Sequence, residues 1–244
     1  MGLAVVTVAS GGLPIVESTV GGTPVTEAAN GRGVPVTKVV GKPGLPVVFE
    51  TIGVAVPFSP TTWSATDKTA NTNLTNGNLT ATAAAINSGA RGVKGLAAGK
   101  SYFEATLVNQ TSIATAIGVA LGAATLGLTA TTTAVLRENN SIWINNTSIG
   151  TAPGGSLVNG NIVGIAVDID AQRIWFRSTK SAGVWNISGG DPATGVGGLS
   201  LAGMAGTLFP NCIMAGNTDA WTANFGASSF VGAVPAGFTS GWPA

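Results

Sequence analysis

Four times between residues 13 and 49 a short proline-led pattern returns, as LPIVE, TPVTE, VPVTK and LPVVF, with glycines between successive copies. Its prolines, Pro14, Pro24, Pro35 and Pro46, stand ten or eleven residues apart. Each copy is a strand-length run of β-branched residues, too brief and too flat to bury a face of its own. Repeats of this kind close a core by stacking, or by wrapping around symmetry-related copies of themselves. The expected apolar contacts of such an oligomer are Pro14, Val16, Pro24, Val25, Pro35, Val36, Pro46 and Val47. Proline has no N–H to donate to a ladder, so these residues belong at strand starts, edges or bends. Glu17, Glu27 and Lys38 hold equivalent places in the repeats and are expected on the solvent side, where charge opposes promiscuous edge pairing. A trimer suits the geometry, since three short strands per layer enclose a narrow apolar axis. The competing reading is a disordered Pro/Gly linker, which the high valine content opposes.

Composition shifts near residues 53–60, dividing the chain into an N-terminal β-repeat stem, 1–57, and a second region, 58–244, of aromatics, alternating strands and Asn/Thr/Gly loops. With 36 glycines and charged residues at 9%, against roughly 25% in an ordinary soluble domain, the pattern is all-β with many tight turns. Helical periodicity is nearly absent, the one helix-like run being 80–86. Residues 162–167 and 174–176 read as two strands of a hairpin around the polar break DIDAQR, and Trp143 reads as part of a strand between Asn-rich turns. Two antiparallel sheets packed face to face would bury these aromatics. Residues 113–130 are uncharged and long enough for a membrane test. Their threonines, glycines and lack of flanking Lys or Arg favour two buried strands joined by a Gly-rich turn, so no membrane partner is expected. Residues 1–10 do not read as a secretory signal, having no basic residue ahead of the apolar stretch.

Several chemistries are disfavoured. There is no histidine, which removes the usual nucleophile–base triad. Net charge is +1 with the basic residues scattered, so nucleic acid is not an expected partner. The single Cys212 permits neither an intrachain disulfide nor a local zinc site, and reads as a small buried hydrophobe. Asp168 and Asp170 are the one acidic pair at the spacing a glycosidase or a calcium loop would use. A tight turn explains both, and no catalytic residue, metal or cofactor is expected.

An ordered series of segments resembles SPRY domains: 99–108 (GKSYFEATLV), 116–120 (AIGVA), 161–176 (NIVGIAVDIDAQRIWF), 184–198 (VWNISGGDPATGVGG), 208–215 (LFPNCIMA) and 221–242 (WTANFGASSFVGAVPAGFTSGW). The resemblance runs from about Trp63 to the C-terminus and implies an antiparallel SPRY-like β-sandwich. Its "DP" and "PAGF" version is similar to SPRY-like modules of bacteriophage virion proteins, and the N-terminal repeats resemble the stems of phage fibres and appendages. What this implies is a non-enzymatic structural protein located in the virion, as head fibre, capsid decoration, collar or tail appendage. The expected partners are sister subunits in a homotrimer, other virion proteins such as capsid, collar or tail, and a host-surface glycan. SPRY-like domains bind with loops at one end of the sandwich, which makes Trp185, Asn186, Asp191, Asp219 and Trp221 the candidate ligand-binding residues. Exposed tryptophans beside Asn and Asp would stack on a sugar while the polar groups bond its hydroxyls. The alternative is that both tryptophans pack the core. A secreted lectin-like adhesin and a carbohydrate-active enzyme remain as rival classes.

Overall fold

Each copy of the N-terminal pattern contributes one strand. The computed structural model describes residues 59–243 in full and, before them, the backbone of five strands: β1 (Val5–Ser10), β2 (Leu13–Val20), β3 (Thr23–Ala28), β4 (Val36–Val40) and β5 (Val48–Ile52). These pair in chain order as an antiparallel meander. Pro14 and Pro24 are the second residues of β2 and β3, where a missing N–H disturbs the ladder least. Pro35, Pro46 and Val47 lie outside the described residues, as do the side chains of Val16, Val25 and Val36. The register sets Glu27 opposite Lys38 and Lys38 opposite Glu50; Val16, rather than Glu17, completes that row. Two compact units result, Met1–Phe58 and Ser59–Ala244.

The second unit is a two-sheet antiparallel sandwich of fifteen strands. In chain order they are β6 (Trp63–Lys68), β7 (Thr72–Thr75), β8 (Thr80–Ala83), β9 (Ser88–Gly92), β10 (Lys100–Asn109), β11 (Ala116–Leu121), β12 (Thr133–Arg137) and β13 (Ser141–Ile144). There follow β14 (Thr147–Thr151), β15 (Ile162–Asp168), β16 (Arg173–Ser178), β17 (Leu199–Ser200), β18 (Leu208–Met214), β19 (Ala220–Asn224) and β20 (Thr239–Ser240). One sheet runs β17-β16-β15-β10-β19-β8-β7, with β20 added in parallel to the start of β10. The other runs β14-β13-β12-β11-β18-β9-β6. Apart from a one-turn 3₁₀ segment, Thr179–Ser181, no helix occurs among the described residues.

Period-two alternation decides which face each strand buries. On β10, Phe103, Ala105 and Leu107 enter the core, leaving Tyr102, Glu104 and Thr106 on the sheet's other face. On β19, Trp221 and Ala223 do the same. Phe225 centres an aromatic cluster, with Trp63 edge-on at 5.0 Å and Phe103 at 5.4 Å; Trp242 meets Phe103 edge-on at 5.7 Å. The expected hairpin is present as β15 and β16, closed by a turn in which Gln172 takes φ 52°. β13, which carries Trp143, joins β14 through Asn145 and Asn146 at φ 50° and 60°, the left-handed pair that a two-residue type I′ connection demands.

One ambiguous run is resolved and one local expectation fails. The helix-like run at 80–86 opens with strand β8, because Ala81 and Ala83 alternate into the core with Thr80 and Thr82 between them. Of the uncharged stretch 113–130 only Ala116–Leu121 is a strand. The loop after it is tied down locally: Arg91 Nη1 donates to Leu121 O and Ala124 O, and Asn87 Oδ1 accepts from Leu128 N. Threonine-rich composition there reflects turn bonding rather than a ladder. No described helix is long and apolar enough to cross a membrane.

The pairings place both ends of the sandwich together. Thr61 N donates to Trp242 O at 2.9 Å, and Pro60 faces Pro243 in a bridge. Both lie at the end where β10 starts, since β20 pairs with Ser101.

Candidate ligand-binding cleft

The structure separates the five residues singled out in the sequence. Trp221 is fully buried between the sheets on β19. Asp219 is also fully buried and joins two loops, accepting from Thr111 N, from Thr111 Oγ1 at 2.8 Å and from Gly216 N at 2.7 Å. Asn186, in the left-handed region at φ 53°, stitches β16 to the following loop: its Oδ1 accepts from Phe176 N at 2.9 Å and its Nδ2 donates to Gly197 O at 2.7 Å. Trp185 keeps 8% of its surface exposed and lies under the Arg177 guanidinium, 4.3 Å from the ring centroid. Only Asp191 projects into solvent, and its Oδ1 caps its own turn by accepting from Ala193 N. Four of the five side chains are thus occupied within the protein.

A concavity lies on the outer face of the larger sheet, under the loop 226–238. Glu104 forms its floor and is itself buried. Its Oε1 accepts from Tyr102 Oη at 2.6 Å and from Gly232 N at 2.7 Å, and its Oε2 from Val231 N at 2.9 Å. Three donors on one carboxylate latch the loop to β10. Arg177 Nη2 donates to Tyr102 Oη at 3.0 Å and to Ala233 O. Two glycines make this possible. A Cβ on Gly164 would come within 2.6 Å of Tyr102 Oη, and one on Gly232 would collide with Arg177 Nη2. Burial first, then the bond to Glu104, push the Tyr102 phenol above its ordinary range, so it stays a donor.

This cleft has a volume of about 180 Å³ between Ile162, Gly164, Arg177, Thr179 and Val231. It adjoins a second hollow of about 290 Å³ lined by Thr106, Thr222, Asn224, Ser228 and Ser229. The signal for it was present in β10 and β16: charged residues placed at the non-core phase of otherwise apolar strands, Glu104 in YFEAT and Arg177 in RIWFR.

The acidic pair behaves as a turn. Asp168 is buried, bound to Lys100 Nζ at 2.9 Å, and accepts from Ala171 N; Asp170 is exposed. Cys212 is enclosed in the core, where burial pushes its thiol up to about 12. No group of three or more acidic or Cys residues suited to a metal ion gathers among the described residues.

Among solved structures, the chain is similar to the SPRY domain of human HERC1, with a TM-score of 0.52 and 14% identity over 66% of this chain and 96% of that one. The PSpry domain of TRIM65 aligns at a TM-score of 0.49 and 13% identity, covering 68% of this chain and 92% of that domain. The first likeness establishes a SPRY-like β-sandwich as the fold. No family model and no curated protein matches the sequence.

Proposed function

We propose that this chain is a non-catalytic structural component of a bacteriophage virion, as head fibre, decoration, collar or tail appendage. The N-terminal β-repeat unit self-associates as a homotrimer and attaches to other virion proteins. The SPRY-like sandwich recognises a host-surface glycan or a neighbouring virion protein. One observation carries the recognition half of this reading: the sandwich begins and ends at the same pole, where Thr61 meets Trp242. A module held there keeps its opposite pole and its sheet face for contacts. At the opposite pole lie the loops 84–87, 109–115, 152–161 and 215–219, as the ends of β8, β10, β14 and β18 require. They carry Ile86 at 71%, Ile113 at 66% and Val158 at 49% exposure. Apolar side chains held out on loops of a rigid scaffold suit partner contact.

The test is competition. Purified full-length protein, added in excess to host cells, is expected to slow adsorption of the particles. Unchanged adsorption, together with absence of the protein from purified particles, overturns the proposal.

A further inference from the structure

The outer face of the other sheet carries a small apolar cluster of its own: Ala116, Val135 and Ile213, with Leu128 and Trp143 packed half-buried against them. Register places Ile213, Ala116 and Arg137 in one row across β18, β11 and β12, and Val135 beside Trp143 in the next. Arg137 lies over the Trp143 ring, its guanidinium carbon 3.6 Å from the centroid. The indole beneath is pinned, since its Nε1 donates to Ser141 Oγ at 2.8 Å and Ser141 Oγ donates to Asn139 Oδ1 at 2.6 Å. On this platform the guanidinium has no hydrogen-bond or carboxylate partner among the described residues, where the two ion pairs are Arg91–Asp67 and Lys100–Asp168. Its nitrogens all reach the surface, so the donors in the guanidinium plane are unspent and open. Burial pulls Arg137 below its ordinary value, as it must for a half-covered cation with no counter-charge.

We propose that this face docks a protein segment carrying a carboxylate between aliphatic side chains, the carboxylate meeting Arg137 in plane and the aliphatics covering Leu128 and Trp143. The surface is separate from the loops of the far pole and does not depend on the virion reading. Charge complementarity names the partner's acid: a planar guanidinium held flat on an aromatic ring is weakly hydrated, pre-organised and matched to a carboxylate. Arg and Trp at the centre of an apolar patch are also the residue types that anchor protein interfaces. A saccharide finds less here. The notch between Ala114, Leu128, Asn146 and Arg137 measures about 10 Å³, room for a water-sized group and not for a sugar ring. Thr133 Oγ1 in its wall is spent on Ala130 O, leaving Asn146 as the one polar side chain beside Arg137 in that lining to meet hydroxyls.

The experiment follows the indole N–H of Trp143 by heteronuclear NMR of the full-length chain, the resonance being assigned through Trp143→Phe. Titrants are the end-blocked peptides ALELA, ALQLA and GSEGS, and trigalacturonate. ALELA is expected to shift the resonance saturably and to bind about tenfold more tightly than ALQLA, which lacks the charge, or GSEGS, which lacks the aliphatics. Arg137→Lys, which keeps the charge and loses the planar donors, should weaken ALELA by about tenfold. Asn146 is exposed at φ 60°, a backbone that Asp and Gly accept, so its variants leave the fold intact. Asn146→Asp should weaken ALELA by repulsion, and Asn146→Gly should leave it unchanged. No saturable shift, equal binding of ALQLA or GSEGS, tighter binding of trigalacturonate, or no response to Asn146→Asp overturns the inference. A fall in sedimented mass for Arg137→Gln would make a second copy of the chain the occupant and overturn it as well.

Discussion

Tyr102 gives its hydroxyl to Glu104 at 2.6 Å and receives Arg177 at 3.0 Å, while its ring meets Phe230 edge-on at 5.1 Å. Tyr102→Phe keeps the ring and removes both bonds, leaving Glu104 short of a donor. We expect a loss of about 1–3 kcal/mol in denaturant unfolding. Glu138 presents the opposite case, a buried carboxyl whose Oε2 has no partner among the described residues. Burial, and then neighbouring Asp219, raise it above its usual range. The folded protein therefore holds that proton at pH values where the unfolded chain has released it. Its stability contribution is complete below the unfolded value and is lost as pH rises through the folded one. Glu138→Gln should accordingly be more stable than the parent at pH 7 and equal to it near pH 4, as read by thermal melts at the two pH values. The same sign applies in alkali to Tyr102 and Cys212, both raised, so stability should decline above about pH 9.

Among the elements, β11 is the most constrained by a single position. A Cβ on Gly118 would run into Ala134 O of β12. Gly118→Ala should cost about 1–3 kcal/mol through overpacking, measured by chemical denaturation, whereas the same change at Gly99, where nothing lies within 4 Å, acts through its φ of 89° alone. Gly118 lies in the uncharged stretch 113–130 that was long enough for a membrane test; its use here is close approach within a sheet. Strand identity was legible wherever alternation was clean, as in β10, β15 and β16. It was not legible in 122–132, where threonine content mimicked a strand and long-range bonds from Arg91 and Asn87 hold a loop. The cleft escaped for a related reason. Trp185 and Trp221 drew notice as large aromatics, yet large aromatics are what a sandwich buries. Glu104 and Arg177 signal the groove only by their phase within strands whose pairing is known.

At the scale of the whole molecule, a unit of five short strands joined to a sandwich of fifteen implies two stabilities of very different size. The sandwich has a continuous core reaching from Trp63 to Trp242. If the repeats self-associate, as proposed, the full-length chain should sediment as a trimer and dissociate on dilution in a single concentration-dependent step; a monomer at all concentrations would remove the stem from the proposal. The SPRY-like architecture was legible from the order of its segments: 99–108, 116–120, 161–176 and 208–215 each fell on one strand or hairpin of the sandwich, whereas 184–198 is the loop after β16 and 221–242 carries β19 and β20 with a loop between them. The joining of its two ends was not, since it depends on a bridge between residues 183 positions apart in the chain, Pro60 and Pro243.

That closure sets rules for anyone wishing to dress the protein with cargo. A reporter appended at the C-terminal side would lie at the same pole of the sandwich as Thr61 and the start of β10. An epitope grafted between β10 and β11, in contrast, would lie at the opposite pole of the sandwich. Affinity capture should therefore be engineered into that connection rather than after Pro243.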